Sequence, residues 1–167
     1  AVVWDQEGFM PSIADTFGDF TVAVVVAHEW GHAIQERAQV SAPSVIVELQ
    51  ADCFAGAWTK HVSDGESDRF AITTDDLDTA LTGILALRDE PGGRADDAQA
   101  HGSGFDRVGA FQDGFESGVT RCAEFRDGDP TPYEFPFSEQ DDLDANGNLQ
   151  LSGTTDADGL LTAYIPP

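Results

Sequence analysis

The chain has 167 residues and a mass of 17.8 kDa, the length of about one domain. It is 41% hydrophobic, with 11 Phe and 3 Trp, so it has enough apolar surface for a core and bulk disorder is excluded. Acids outnumber bases 31 to 8, a formal net charge of -23, and a surface of that sign repels phosphate backbones, which excludes nucleic acid as a partner and disfavours anionic membranes.

The longest apolar run, Val22–Ala27, is far short of the ~18 residues of a membrane span. No basic segment leads into an apolar one as in a secretory signal. The opening Ala1-Val2-Val3-Trp4 reads like the middle of a strand, which predicts a small N-terminal strand element and a protein that continues upstream. Gly8, Pro11 and Gly18 punctuate the stretch up to residue 18. A first helix is predicted over Asp19–Ala38, with Asp19 as its N-cap, although the β-branched run from Thr21 to Val26 would also suit a buried strand. Gly31 weakens that helix and so predicts a close backbone approach. After the connector 41–44, a second helix is predicted from Ser44 to about His61, with Val45, Leu49, Phe54 and Trp58 at near-helical spacing. Residues 61–73 read as polar loop, and Thr74 is the predicted cap of a third helix bearing Leu77, Ala80, Leu81, Ile84 and Leu85. A Gly- and Asp-rich loop over 90–104 leads to a fourth helix, Phe105 to about Cys122. Phe105, Val108, Phe111, Phe115, Val119 and Cys122 mark its apolar side, and Ala110, Gly114 and Gly118, four apart, predict tight packing. Beyond Arg126 the chain has no Lys or Arg and is broken by Pro130, Pro132 and Pro136. The expected fold is therefore α+β, mostly α: a domain over 1–126 followed by an irregular acidic extension over 127–167.

His28-Glu29-Trp30-Gly31-His32 is an H-E-x-x-H motif. On a helix, residues four apart lie on one face a turn apart, so both imidazoles can grip one ion. Glu29 lies beside them, within reach of a water on that ion, where a carboxylate can take a proton and later return it to a leaving amine. A catalytic zinc needs a third protein ligand and keeps one position open. His61, His101, the cysteines and many acids are candidates, and Glu48 fits best: it lies sixteen residues past His32, on the next predicted helix, which an antiparallel return brings back to the first. Asp52, four residues on, shares its face and can accept a hydrogen bond from the far nitrogen of a ligating histidine. Two acids on an otherwise apolar helix ask for such an explanation.

These residues carry a resemblance. Val26-Ala-His-Glu-Trp-Gly-His-Ala-Ile-Gln35, followed by Glu48-Leu-Gln-Ala-Asp-Cys-Phe-Ala-Gly-Ala-Trp58, resembles the bacterial putative neutral zinc metallopeptidase family, which is akin to the gluzincins. It extends through His101-Gly102-Ser103 and Phe111-Gln-Asp-Gly114 to Cys122. The resemblance implies a zincin-like domain with zinc held by His28, His32 and Glu48, Glu29 as general base, Asp52 behind a histidine, and peptide or protein substrates. It also implies a home in the cell envelope or outside the cell, with a membrane anchor or export signal upstream of this chain. Family members commonly carry a second histidine where this chain has Ala33.

Cys53 and Cys122 can be a disulfide, free thiols or metal ligands. The favoured reading is a bridge that pins the fourth helix to the second, which also points to an extracytoplasmic location. His101, in a Gly-rich loop, is a candidate to stabilise the oxyanion of a tetrahedral intermediate. Asp142, Asp144 and Asn146 begin a calcium-loop pattern, but its twelfth position is Gly153 rather than Glu, and a plain acidic turn fits better. The expected function is zinc-dependent hydrolysis of peptide bonds through a zinc-bound water activated by Glu29. The competing expectations are a non-catalytic envelope or binding module stabilised by zinc, and a calcium-stabilised adhesion domain.

Overall fold

The computed structural model describes residues 2–89, 95–125 and 130–133, and these form five helices. They are α1 (Phe9–Phe17), α2 (Asp19–Ala38), α3 (Ser44–Ser63), α4 (Thr74–Ala86) and α5 (Gly104–Ala123). No strand occurs among the described residues, so the fold there is all-α and the expected α+β class with an N-terminal strand element is corrected. Val2-Val3-Trp4 has strand-like composition, but strand backbone needs a partner ladder to satisfy its N–H and C=O groups. None of the described residues runs alongside as a strand, and Val3 is 81% exposed. The expected acidic extension over 127–167, except for 130–133, lies outside the described residues. No helix among the described residues is long and apolar enough to cross a membrane.

Helix α1 sits where Gly8, Pro11 and Gly18 suggested only punctuation. Pro11 falls in its first turn, where a backbone N–H has no intrahelical acceptor anyway. The Asp5 carboxylate accepts from the N–H groups of Glu7, Gly8 and Phe9 at 2.9–3.0 Å, capping the helix from outside and holding its own pKa below the usual range. Helices α4 and α5 each begin with a reciprocal capping box, Thr73 with Asp76 and Ser103 with Asp106. The α4 cap is thus one residue ahead of the predicted Thr74, and Asp19 is the first residue of α2 rather than its cap.

Helix α3 is the centre of the molecule: eleven of its 20 residues are buried. On one side Val45, Ile46, Leu49 and Cys53 pack with Ala110, Cys122 and Phe125. On the other, Ala55 and Val62 join Phe20 and Val24 of α2, Ala80 and Ile84 of α4, and Phe111 of α5. Two glycines set the α3–α5 distance. A methyl group on Gly56 would lie 1.9 Å from the Phe111 carbonyl oxygen, and one on Gly114 would lie 1.8 Å from that of Cys53. The Cys53–Cys122 disulfide joins the same two helices. Gly31 plays a similar part between α2 and α3, where an added Cβ would meet the Ala51 Cα at 2.9 Å.

The apolar face expected for α5 needs correction as well. Phe105 is 73% exposed and Val119 62%, while the buried face carries Gly104, Arg107, Ala110, Phe111, Gly114 and Cys122. Small residues win that face because they let the α3 backbone come close. Gly118 does not take part: it has φ 72° and ψ -171°, breaks the helix, and has nothing near its Cβ position.

Candidate metal centre

Helices α2 and α3 run antiparallel, as the pairings His28–Asp52, Gly31–Ala51 and Gln35–Val47 show. His28 and His32 project from one face of α2, and Glu48 reaches them from α3. The Nε2 atoms of the two histidines are 3.1 Å apart. The Glu48 carboxylate lies 3.3 Å from His28 Nε2 and 3.4 Å from His32 Nε2. One donor atom from each of the three side chains falls within 4.8 Å of the others.

Each imidazole is held from behind. Asp52, fully buried, accepts from His28 Nδ1 at 2.8 Å, and the side-chain oxygen of Gln35 accepts from His32 Nδ1 at 2.8 Å. With both Nδ1 protons committed, two Nε2 lone pairs face one another and a carboxylate. Such an arrangement is repulsive unless a cation or a proton sits among them. Two imidazole nitrogens and one carboxylate are also the donor set of a catalytic zinc site, so these residues fit the ion.

The electrostatics agree. Burial favours neutral His28, but hydrogen bonds to Asp52 and Glu48 outweigh it and raise its pKa to about 9. His32 is raised by its bond to Glu48 against the effect of burial. Glu48 loses solvation, which alone would raise it, yet its two histidine partners hold it well below the carboxylate range. Asp52 is also desolvated and is kept ionised by Arg107, whose Nε and Nη2 donate to its two oxygens at 2.8 and 2.9 Å. Arg107 is itself buried, and its Nη1 donates to the Leu87 carbonyl at 2.6 Å.

These side chains open onto a cavity of about 360 Å³. Glu29 and His101 line it together with the three donors, and Phe9, Val24, Val25, Ile84 and Leu87 supply its apolar wall. His101 is placed by Asp89, which accepts from the backbone N–H groups of His101 and Gly102 at 2.8 Å and from His101 Nδ1 at 3.2 Å. His61 is elsewhere, at the end of α3, paired with Glu66. Asp142, Asp144 and Asn146 lie outside the described residues, and nothing supports calcium.

The structure thus gathers His28, Glu29, His32, Glu48, Asp52 and His101 around one cavity and bonds Cys53 to Cys122. It adds Arg107, Gln35, Gln50 and Asp89, to which the sequence assigned no role. Gln35 was legible in principle, three residues past His32 on the motif's own face. Arg107 gave no local signal, since a lone base in the first turns of an amphipathic helix normally reads as surface.

A profile of the family described as "Putative neutral zinc metallopeptidase" matches residues 9–125. The uncharacterized protein YpfJ of Escherichia coli (strain K12) is 33% identical over a 131-residue alignment covering 65% of this chain and 44% of its own length. The uncharacterized protein Rv2575 of Mycobacterium tuberculosis (strain ATCC 25618 / H37Rv) is 31% identical over 124 residues, covering 60% of this chain and 42% of its own. The chain therefore spans less than half the length of these curated relatives. No solved structure matches it.

Proposed function

The chain belongs to the putative neutral zinc metallopeptidase family, and from that premise we propose that it hydrolyses peptide bonds at a zinc ion held by His28, His32 and Glu48. The convergence of those three donors on one point carries the reading. Zinc, when bound, supplies a Lewis acid that polarises a carbonyl and acidifies a water. Glu29, on the cavity wall beside His28, takes the proton of the attacking water and passes it to the leaving amine. His101, held by Asp89 at the cavity wall, is placed to stabilise the negative charge that develops on the carbonyl oxygen. The apolar wall excludes water and receives substrate side chains. The disulfide supports an extracytoplasmic setting.

A structural zinc site is closed by a fourth protein ligand. Among the described residues the cluster has three, which favours the hydrolase over a zinc-stabilised binding module. Glu29→Gln is the test. It is expected to retain one zinc per chain by elemental analysis while kcat on a protein substrate falls by roughly 10²–10⁴-fold. Activity equal to the parent's would defeat the mechanism, and a zinc-loaded parent that cleaves nothing would favour the binding module.

A further inference from the structure

Behind His32 the hydrogen bonding continues into the core. Gln35 and Gln50 are only 4% and 2% exposed, yet every polar hydrogen and both carbonyl oxygens of their side chains have partners. Gln50 donates through Nε2 to the Cys122 carbonyl at 2.8 Å and the Phe125 carbonyl at 3.1 Å, at the end of α5 where a helix leaves carbonyls short of partners. Gln35 donates through Nε2 to the Val47 carbonyl at 2.6 Å and to Gln50 Oε1 at 3.0 Å, and its own Oε1 faces His32 Nδ1 at 2.8 Å.

The direction of this chain is forced. Backbone carbonyls only accept, so Gln50 must turn its NH₂ toward Cys122 and Phe125, which leaves its oxygen toward Gln35. Gln35 meets that oxygen and the Val47 carbonyl, again two acceptors, so its NH₂ must face them and its oxygen must face His32. An oxygen there requires a proton on His32 Nδ1. Flipping either amide would set oxygen against oxygen in the core, where an unsatisfied polar group is costly.

We propose that Gln35, backed by Val47 and Gln50, is a positioning residue that fixes the tautomer of His32, so that Nε2 is the bare nitrogen presented to the ion. His28 gets the same result from Asp52. Carbonyls at the far end of α5 thereby help decide which nitrogen of His32 can ligate. The inference rests on the zinc reading above, and its test separates the two.

Zinc affinity is measured on the metal-stripped chain by competition with a chromophoric chelator, and the histidine nitrogens are assigned by long-range ¹H–¹⁵N correlation on the zinc-loaded chain. The parent is expected to show Nδ1–H and zinc-bound Nε2 on both histidines. Gln35→Met is expected to weaken zinc roughly 10–100-fold and to perturb the His32 nitrogens while leaving those of His28 unchanged, a contrast that general loosening would not give. Gln50→Met is expected to lose less, since Val47 still orients Gln35. A folded Gln35→Met with the parent's affinity and His32 signals overturns the inference and leaves the zinc reading standing. A Gln50→Met that binds as tightly as the parent overturns Gln50's share. Should Gln35→Met not fold, a parent in which His32 ligates through Nδ1 overturns the inference directly. A parent that binds no zinc overturns both.

Discussion

Asp52 shows what a single residue does in this fold. Its carboxylate is fully buried, which is tolerable only because Arg107 grips both oxygens and His28 donates a further hydrogen bond. Glu48 and Asp52 were legible in the sequence because charge on an apolar helix is conspicuous. Their guanidinium partner was not, because residue 107 is 55 positions from Asp52 and only the packing of α5 on α3 brings them together. Removing one partner of such a pair leaves the other charge buried and alone. Arg107→Met is therefore expected to cost about 3–5 kcal/mol in urea unfolding and to weaken zinc binding through misorientation of His28. Arg107→Met combined with Asp52→Leu should recover part of the stability and none of the zinc affinity. Unchanged stability in the single variant would mean that the pair does not hold the site.

Among the helices, spacing and caps located α2 to α5 to within a few residues, because periodicity and capping are local. Two features escaped for one shared reason: they depend on distant surfaces. Helix α1 is short and forms where Asp5 can cap it and α2 can cover Met10 and Ile13. The buried face of α5 is chosen by fit to α3, so the small face is buried and the bulky Phe105 and Val119 stay outside. Two alanine substitutions within α5 test this. Gly114→Ala drives a methyl into the Cys53 carbonyl and should destabilise by about 1–3 kcal/mol or more. Gly109→Ala meets nothing within 4 Å and should stabilise by about 0.5–1 kcal/mol. Equal effects would show that α3 and α5 are not in backbone contact. The disulfide secures the same pair of helices beyond the break at Gly118, and replacing both Cys53 and Cys122 by Ala should cost about 2–5 kcal/mol in denaturant unfolding. A variant as stable as the parent would show that packing alone holds α5.

For the whole molecule, the His28–His32–Glu48 cluster links folding to pH. His28 is raised from 6.5 to about 9 by its carboxylate neighbours, so in the metal-stripped protein its contribution is fully present below pH 6.5 and is lost as pH rises through about 9. Glu48 and Asp52 are shifted down, so their contribution is fully present above the ordinary carboxylate range and is lost as pH falls below that range toward their lowered values. The metal-stripped protein should thus be most stable in mildly acidic solution and weaken from pH 6.5 to 9. Zinc requires the deprotonated imidazoles and competes with those protons. The rise in Tm on adding zinc should therefore be larger at pH 8.5 than at pH 6 by scanning calorimetry. A rise that is equal or smaller at pH 8.5 would remove the two histidines from the ligand set.

The sequence by itself determined the parts that are local: four of the helices, two histidines on one face with Glu29 beside them, and Glu48 and Asp52 one turn apart on the next helix. Each follows from the 3.6-residue period and from side-chain chemistry that no neighbour needs to supply. Tertiary structure alone decided that the first residues form no strand, that α1 exists, that α5 turns Gly104 and Gly114 inward and Phe105 outward, and that Arg107 and the glutamine pair stand behind the histidines. Each of these is an answer to what lies opposite in space, and residues far apart in sequence carry no local mark of the partner they will meet.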